Sequence, residues 1–336
     1  MRKTLAFEQP LAYGFLFYAA PLGILAARPK ATDWVLSNYV QVVYEHSGEA
    51  APVPFAFYVH DYSVSPWLET LRLNRDWVSR QDRGIAGIVR DAIELDFYVY
   101  LGLNERYVPE RLAYGRNDYP HENLIRGVDD RDDCFELYGW DQHQVFRATQ
   151  LPQDDLPIAY HNNGSGPFYD VPLTLYRYND AGEYTFDLKY VERGVIEYLE
   201  SFNTSTHFQA QRDPWDRAYG LETYNLLESY LDGYAAGREE YNPRNVHVLW
   251  EHKRLMVARL SRCAELVPAV GDLVEPYRQV ERMARALRMM TIAHAEGHGT
   301  DFRAEAIALL RSIRAQDERL LRRFAACLAD AREAVA

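Results

Sequence analysis

From about residue 50 to 200 the chain sets short runs of Val, Phe and Tyr between polar breaks, the texture of strands interspersed with short helices. The strand candidates are residues 53–59, 95–101, 123–128, 134–140 and 172–178. Between the first two, Ile85, Ile88, Val89 and Ala92 recur on one face of a helix over 84–93, and that face is expected to cover the sheet. The segment VDDRDD at 128–133 has no apolar residue after Val128 and is short enough for a hairpin, so residues 121–141 read as an antiparallel hairpin.

After about residue 215 the period changes to three or four. Leu249, Met256, Leu260 and Cys263 mark one helical stripe, and Tyr277, Val280, Met283, Leu287 and Met290 mark a second. A third runs through Ile307, Leu310, Ile313, Leu320, Phe324 and Leu328. Breaks at Gly271-Asp272 and Gly297-His298-Gly299 separate three long amphipathic helices that are expected to pack as a bundle. The pattern is therefore α+β, with an α/β core at 1–205 and a helical bundle at 206–336.

Arg2 and Lys3 precede an apolar run at 11–27 that imitates the core of an export signal, but Glu8, Pro10 and Pro21 interrupt it. The run is also short for a bilayer and carries Gly14, Pro21 and Gly23. Cys134, Cys263 and Cys327 are odd in number and have neither disulfide nor metal spacing, which suits a reducing compartment; a cytoplasmic location is expected. With 49 acidic against 37 basic residues the formal charge is -12, which disfavours nucleic acid and anionic membrane as partners. No phosphate loop, nucleotide fingerprint or zinc set is visible, so no cofactor is expected. The oligomeric state is not encoded in any of these patterns.

The candidate chemistry lies on the hairpin. With its turn near residue 131, His121 and Asp141 are equally distant from the tip and lie opposite one another, where a carboxylate can fix an imidazole's tautomer and orientation. Other motifs have plainer readings. His294 and His298 stand four apart, but Gly297 and Gly299 suit a helix end. Glu251, His252 and Lys253 sit within a helix as an ion pair or packed histidine, and Cys134 reads as a small buried strand residue. The tract HNNGSG at 161–166 reads as a loop, and the 25 tyrosines line either strands or an amphipathic cleft.

The run FYVYLGLNERYVP at 97–109, Tyr114-Gly115, His121, LIRGVD at 124–129, Phe135 and Tyr138-Gly139 resembles the butirosin-type acyltransferase family. This is a papain-like group found in aminoglycoside and nonribosomal peptide pathways. YGLETY at 219–224, VLWEHK at 248–253 and Arg259 are similar to the helical region of the same group. The resemblance covers about residues 95–290. It implies a papain-like core and an acyl transfer in which a cysteine captures an acyl group from a carrier protein and passes it to an amine. His121 matches the histidine base, and Asp141 its orienter. The nucleophile is expected at the start of a helix near 34–41, where the family has cysteine after asparagine and this chain has Tyr39 after Asn38.

No cysteine precedes Cys134, so three readings follow. Ser37 substitutes as nucleophile; or His121 performs acid/base chemistry with Tyr39 as acid or donor, on a carrier-bound or released acyl or peptidyl substrate, in a cyclisation, an elimination or an acyl transfer. Or the protein is a catalytically silent binder or scaffold of a polyketide or nonribosomal peptide pathway.

Overall fold

A computed structural model describes residues 1–164, 171–298 and 302–333. The end of the 161–166 tract and Gly299 lie outside the described residues. The strands are β1 Arg2–Thr4, β2 Val42–Tyr44, β3 Phe55–Phe57, β4 Leu68–Leu73, β5 Tyr98–Asn104, β6 Pro120–Asp129, β7 Cys134–Trp140, β8 Phe146–Pro152, β9 Leu173–Tyr178 and β10 Ala218–Tyr219. The helices are α1 Leu16–Ala26, α2 Thr32–Asn38, α3 Arg75–Ser79, α4 Gly84–Glu94, α5 Asp155–His161, α6 Leu188–Leu199, α7 Thr223–Ala235, α8 Pro243–Ala264, α9 Gly271–Ala295 and α10 Phe302–Glu333. The chain is thus mixed helix and antiparallel sheet with a helical C-terminal region. It divides into two compact units, each drawn from two stretches: Met1–Thr32 with Asp61–Tyr184, and Asp33–His60 with Thr185–Ala336. A single cut near residue 205 misses this, because residues 33–60 group with the C-terminal helices.

The first unit is built on an antiparallel sheet of order β4-β9-β5-β6-β7-β8. All seven residues of β5 are buried, as a central strand requires. The hairpin is present as β6 and β7, with Asp129 opposite Cys134 and one irregularity between Ile125 and Gly127. Beyond the reach of β5, β1 pairs with the far half of β6, and a Cβ on Gly127 would come within 2.9 Å of the Lys3 carbonyl oxygen. Ile85, Val89, Ala92 and Ile93 are the buried face of α4. The strand expected at 95–101 starts only at Tyr98, since α4 runs to Glu94 and Asp96 turns the chain at φ 66°. The apolar run near the N-terminus becomes α1, which has nine buried residues and is apolar on all sides, a core helix. Among the described residues no helix is long and apolar enough to cross a membrane.

The second unit combines the small sheet β10-β2-β3 with α2 from Asp33 onward and α6 to α10. The strand expected at 53–59 is here only β3. Three long helices occur where the stripes predict them, and Leu249, Met256, Leu260, Cys263, Leu310, Ile313, Leu320, Phe324 and Leu328 are all buried. α9 ends at Ala295 with Gly297 at φ 83° and the His298 N–H donating to the Ala293 carbonyl, so the two histidines of that motif flank a helix end. Arg259 of α8 is wholly buried and donates to the carbonyls of Leu36 at 2.6 Å and Tyr39 at 2.7 Å. That guanidinium satisfies the unpaired carbonyls at the end of α2.

Candidate functional site

His121 stands near the start of β6, level with Leu103 of β5. Its Nδ1 lies 3.1 Å from Oε1 of Glu105, its side chain is 27% exposed, and its ring stacks on Tyr119 at 5.4 Å. The carboxylate at Nδ1 is therefore Glu105, in the single 3-10 turn that follows β5. Asn104 fixes that turn: its Oδ1 accepts from the N–H groups of Arg106 and Tyr119, and its Nδ2 donates to the Asn162 carbonyl and to Asp118. Glu105 N–H in turn donates to the Tyr119 carbonyl, so the carboxylate and the approach to β6 are held as one piece. With Nδ1–H donated to Glu105, the neutral ring carries its basic lone pair on Nε2.

Behind Glu105 lies Arg111, 2% exposed, with Nε 3.6 Å from Glu105 Oε1. It donates to Asn123 Oδ1 through Nε at 3.3 Å and Nη2 at 3.2 Å, and to the Trp140 carbonyl through Nη1 at 3.0 Å. β6 and β7 stop pairing at Leu124 and Tyr138, and this guanidinium bridges the two chains past that point. Gly139 leaves it room, since a Cβ there would sit 3.1 Å from Arg111 Nη2. Burial pushes the Arg111 pKa down and the carboxylates of Glu105, Glu110 and Asp141 push it back up.

Asp141 does not meet His121. Counting from the hairpin tip puts Asp141 level with His121, but its oxygens close a turn of their own. Oδ1 accepts from the N–H groups of His143 at 2.7 Å and Val145 at 2.9 Å, and Oδ2 accepts from Arg147 Nε at 2.6 Å. Burial alone would raise the Asp141 pKa; the hydrogen bonds from Val145, Arg147 and His143 outweigh it and hold the group below its usual value. A depressed folded-state pKa means that the turn's contribution is fully present above the unfolded value of about 3.9 and is lost as pH falls through the folded value. Acid unfolding followed from about pH 6 to about pH 2 is expected to be less steep in Asp141→Asn than in the wild type. An unchanged pH slope would remove Asp141 from the acid response.

Ser37 and Tyr39 belong to the second unit, whereas His121 and Asp141 belong to the first. Ser37 is 2% exposed in the last turn of α2, where Oγ donates to the Asp33 carbonyl at 2.8 Å. This is the carbonyl end of a helix, whose partial negative charge disfavours an anionic nucleophile, rather than the helix start expected from the sequence. Tyr39 is fully buried beside the rings of Trp34 and Phe57. Cys134 is buried in β7, and burial pushes its thiol pKa up.

A second cluster of titratable groups lies inside the helical unit. Asp317 Oδ2 accepts from Lys253 Nζ at 2.6 Å, Tyr198 at 2.6 Å and Tyr224 at 3.0 Å, while Oδ1 accepts from Tyr277. Lys253 also donates to Nδ1 of His252, whose Nε2–H donates to the Val40 carbonyl at 2.8 Å. Burial, then Lys253, drives the His252 pKa far down, so this ring is neutral. Every member is at most 2% exposed, so the cluster is a sealed structural centre out of reach of a substrate. Nor do the described residues contain three His, Cys, Asp or Glu side chains placed to hold a metal ion. One surface cleft, of about 1040 Å³, runs along α7 and α10, but Arg303 and Arg311 on its wall already pair with Asp232 and Glu228.

No family model matches the chain, and no curated protein matches it. The site therefore rests on its own geometry. Glu105 and Arg111 escaped the sequence reading although both lie in or beside the 97–109 run, because a carboxylate in a loop after a strand has no periodicity to mark it.

Proposed function

We propose that the protein is an enzyme of specialised-metabolite, antibiotic-type biosynthesis that acts on an acyl or peptidyl intermediate, with its first unit a papain-like core and His121 as general base. The observation that carries this reading is the His121–Glu105 pair, 3.1 Å apart on a partly exposed imidazole and backed by a buried arginine. Such a pair fixes one tautomer and stabilises the imidazolium that forms when Nε2 accepts a proton. In the reaction, Nε2 takes the proton of an amine or hydroxyl as that group attacks the acyl carbonyl of a thioester. The carbon–sulfur bond then breaks, and the departing thiolate receives the proton from the imidazolium. If the attacking group belongs to the same substrate, the product is a ring. Direct transfer needs no enzyme nucleophile, which accords with the buried, hydrogen-bonded state of Ser37.

The test uses N-acetylcysteamine thioesters of simple acyl groups with a panel of amines, following thiol release and amide formation. His121→Ala is expected to lower turnover by about 10²- to 10⁴-fold while the fold is retained, and Ser37→Ala to leave it unchanged with no acyl adduct in the intact mass. Thioester binding without turnover in the wild type would instead support the silent binding protein, and equal turnover in His121→Ala would remove His121 as the base.

A further inference from the structure

One aromatic side chain stays at the surface beside the proposed base. Tyr119 is 42% exposed, although its ring stacks on the His121 imidazole with 5.4 Å between centroids and 21° between planes. That separation belongs to an offset stack, in which each ring overlaps only part of the other. Part of the tyrosine face therefore extends past the imidazole, and no other ring or cation packs on it among the described residues.

The ring is presented on a fixed backbone. The Tyr119 N–H donates to Asn104 Oδ1 at 3.0 Å, and its carbonyl accepts from the Glu105 N–H at 2.9 Å. Pro120 follows directly, which restricts Tyr119 to extended conformations. Because Glu105 also supplies the carboxylate at His121 Nδ1, one short turn sets both the imidazole and the tyrosine ring. The proposed chemistry decides which substrate meets that ring. A group that gives its proton to Nε2 must bring its nitrogen or oxygen within about 2.6–3.2 Å of it. The carbons attached to that atom then lie close to the imidazole and to the ring that flanks it, whereas the acyl carbonyl and its thiol stand beyond the attacking atom.

We propose that Tyr119 is a specificity-determining residue that selects the acceptor: an amine or alcohol that carries a flat aromatic ring a short way from its reacting atom, and lays that ring on the exposed part of the tyrosine face. A flat ring gains an aromatic pair there that a saturated group does not, and a platform already held in place costs little ordering on binding. This role in the reaction depends on His121 as the base.

The probes are phenethylamine and cyclohexylethylamine, which share length and apolar bulk and differ in flatness, each with the acetyl thioester of N-acetylcysteamine and the full chain. In the wild type kcat/KM is expected to favour phenethylamine. Tyr119→Leu is expected to cut that preference by about three- to tenfold, through KM, and Tyr119→Phe to keep it. Comparing ratios between proteins cancels the intrinsic reactivity of the amines. Calorimetric binding of the two amines without thioester is expected to follow the same order and needs no turnover. Neither variant removes a hydrogen bond between described residues, and thermal melts confirm that both are folded. The proposal is overturned if the wild type does not prefer phenethylamine in either measurement, or if Tyr119→Leu weakens both amines equally, which would mean that the ring only holds the imidazole. A binding preference that depends on Tyr119, in a wild type that turns nothing over, would support the aromatic platform and sink the base instead.

Discussion

Replacing Asp317 with alanine is expected to destabilise the helical unit by about 3–5 kcal/mol, a large share of the roughly 5–15 kcal/mol that holds a typical domain folded. The size follows from what one carboxylate does. Three tyrosine hydroxyls from α6, α7 and α9 and the Lys253 ammonium of α8 all donate to it, and every one of them is out of contact with water. Burial pushes the Lys253 pKa down while Asp317 holds it up, so removing Asp317 takes away the anion that supports that charge. Amide hydrogen exchange in peptides from α8 and α10 reads the effect within this unit. The double variant Lys253→Met with Asp317→Leu is expected to be more stable than Asp317→Ala, because it removes the charge and its partner together. Exchange in Asp317→Ala within about 1 kcal/mol of the wild type would mean that the cluster is wetter or looser than its contacts imply.

Arg111→Met is the second large effect. Methionine fills comparable volume but donates nothing, so Asn123 Oδ1 and the Trp140 carbonyl lose their donor and the Glu105 carboxylate loses its nearest cation. Breaking a buried charge arrangement on one side costs about 3–5 kcal/mol. Because Arg111 bridges the splayed ends of β6 and β7, faster amide exchange is expected at 121–124 and 138–141, next to His121, and less so near the hairpin tip. Arg111→Lys keeps the charge but cannot span Asn123 and Trp140 with one ammonium, so it is expected to fall between the two. A uniform loss along the hairpin would show that Arg111 acts on the whole sheet rather than on the site.

The sequence carried the helical region well, and its omissions were informative. The stripe of α8 read as Leu249, Met256, Leu260 and Cys263 skips the position between the first two, and that position is Lys253. The stripe of α10 skips the one between Ile313 and Leu320, which is Asp317. Both gaps fall on the buried face, and the two charges that fill them meet each other. Periodicity reports apolar residues, so it passes over the polar pair at the centre of the same core. Strands were harder. β4 and β8 are the two edges of the sheet, and their half-exposed, charge-bearing patterns conceal them, whereas the buried β5 and the β6–β7 hairpin were visible. His121 and Asp141 do not pair for a different reason: level position on a ladder assumes that the ladder continues, and here the pairing stops at Leu124 and Tyr138.

The helical unit draws on two stretches separated by more than a hundred residues, and this has a consequence for biosynthesis. Residues 33–60 leave the ribosome long before α8 and α10 exist. At ordinary translation rates the delay from residue 60 to Asp317 is roughly 10 to 50 s. During that time Tyr39 and Phe57, which end fully buried, have none of the helices that will cover them, and the carbonyls of Leu36, Tyr39 and Val40 await Arg259 and His252. The nascent chain therefore carries this apolar segment uncovered until α10 emerges.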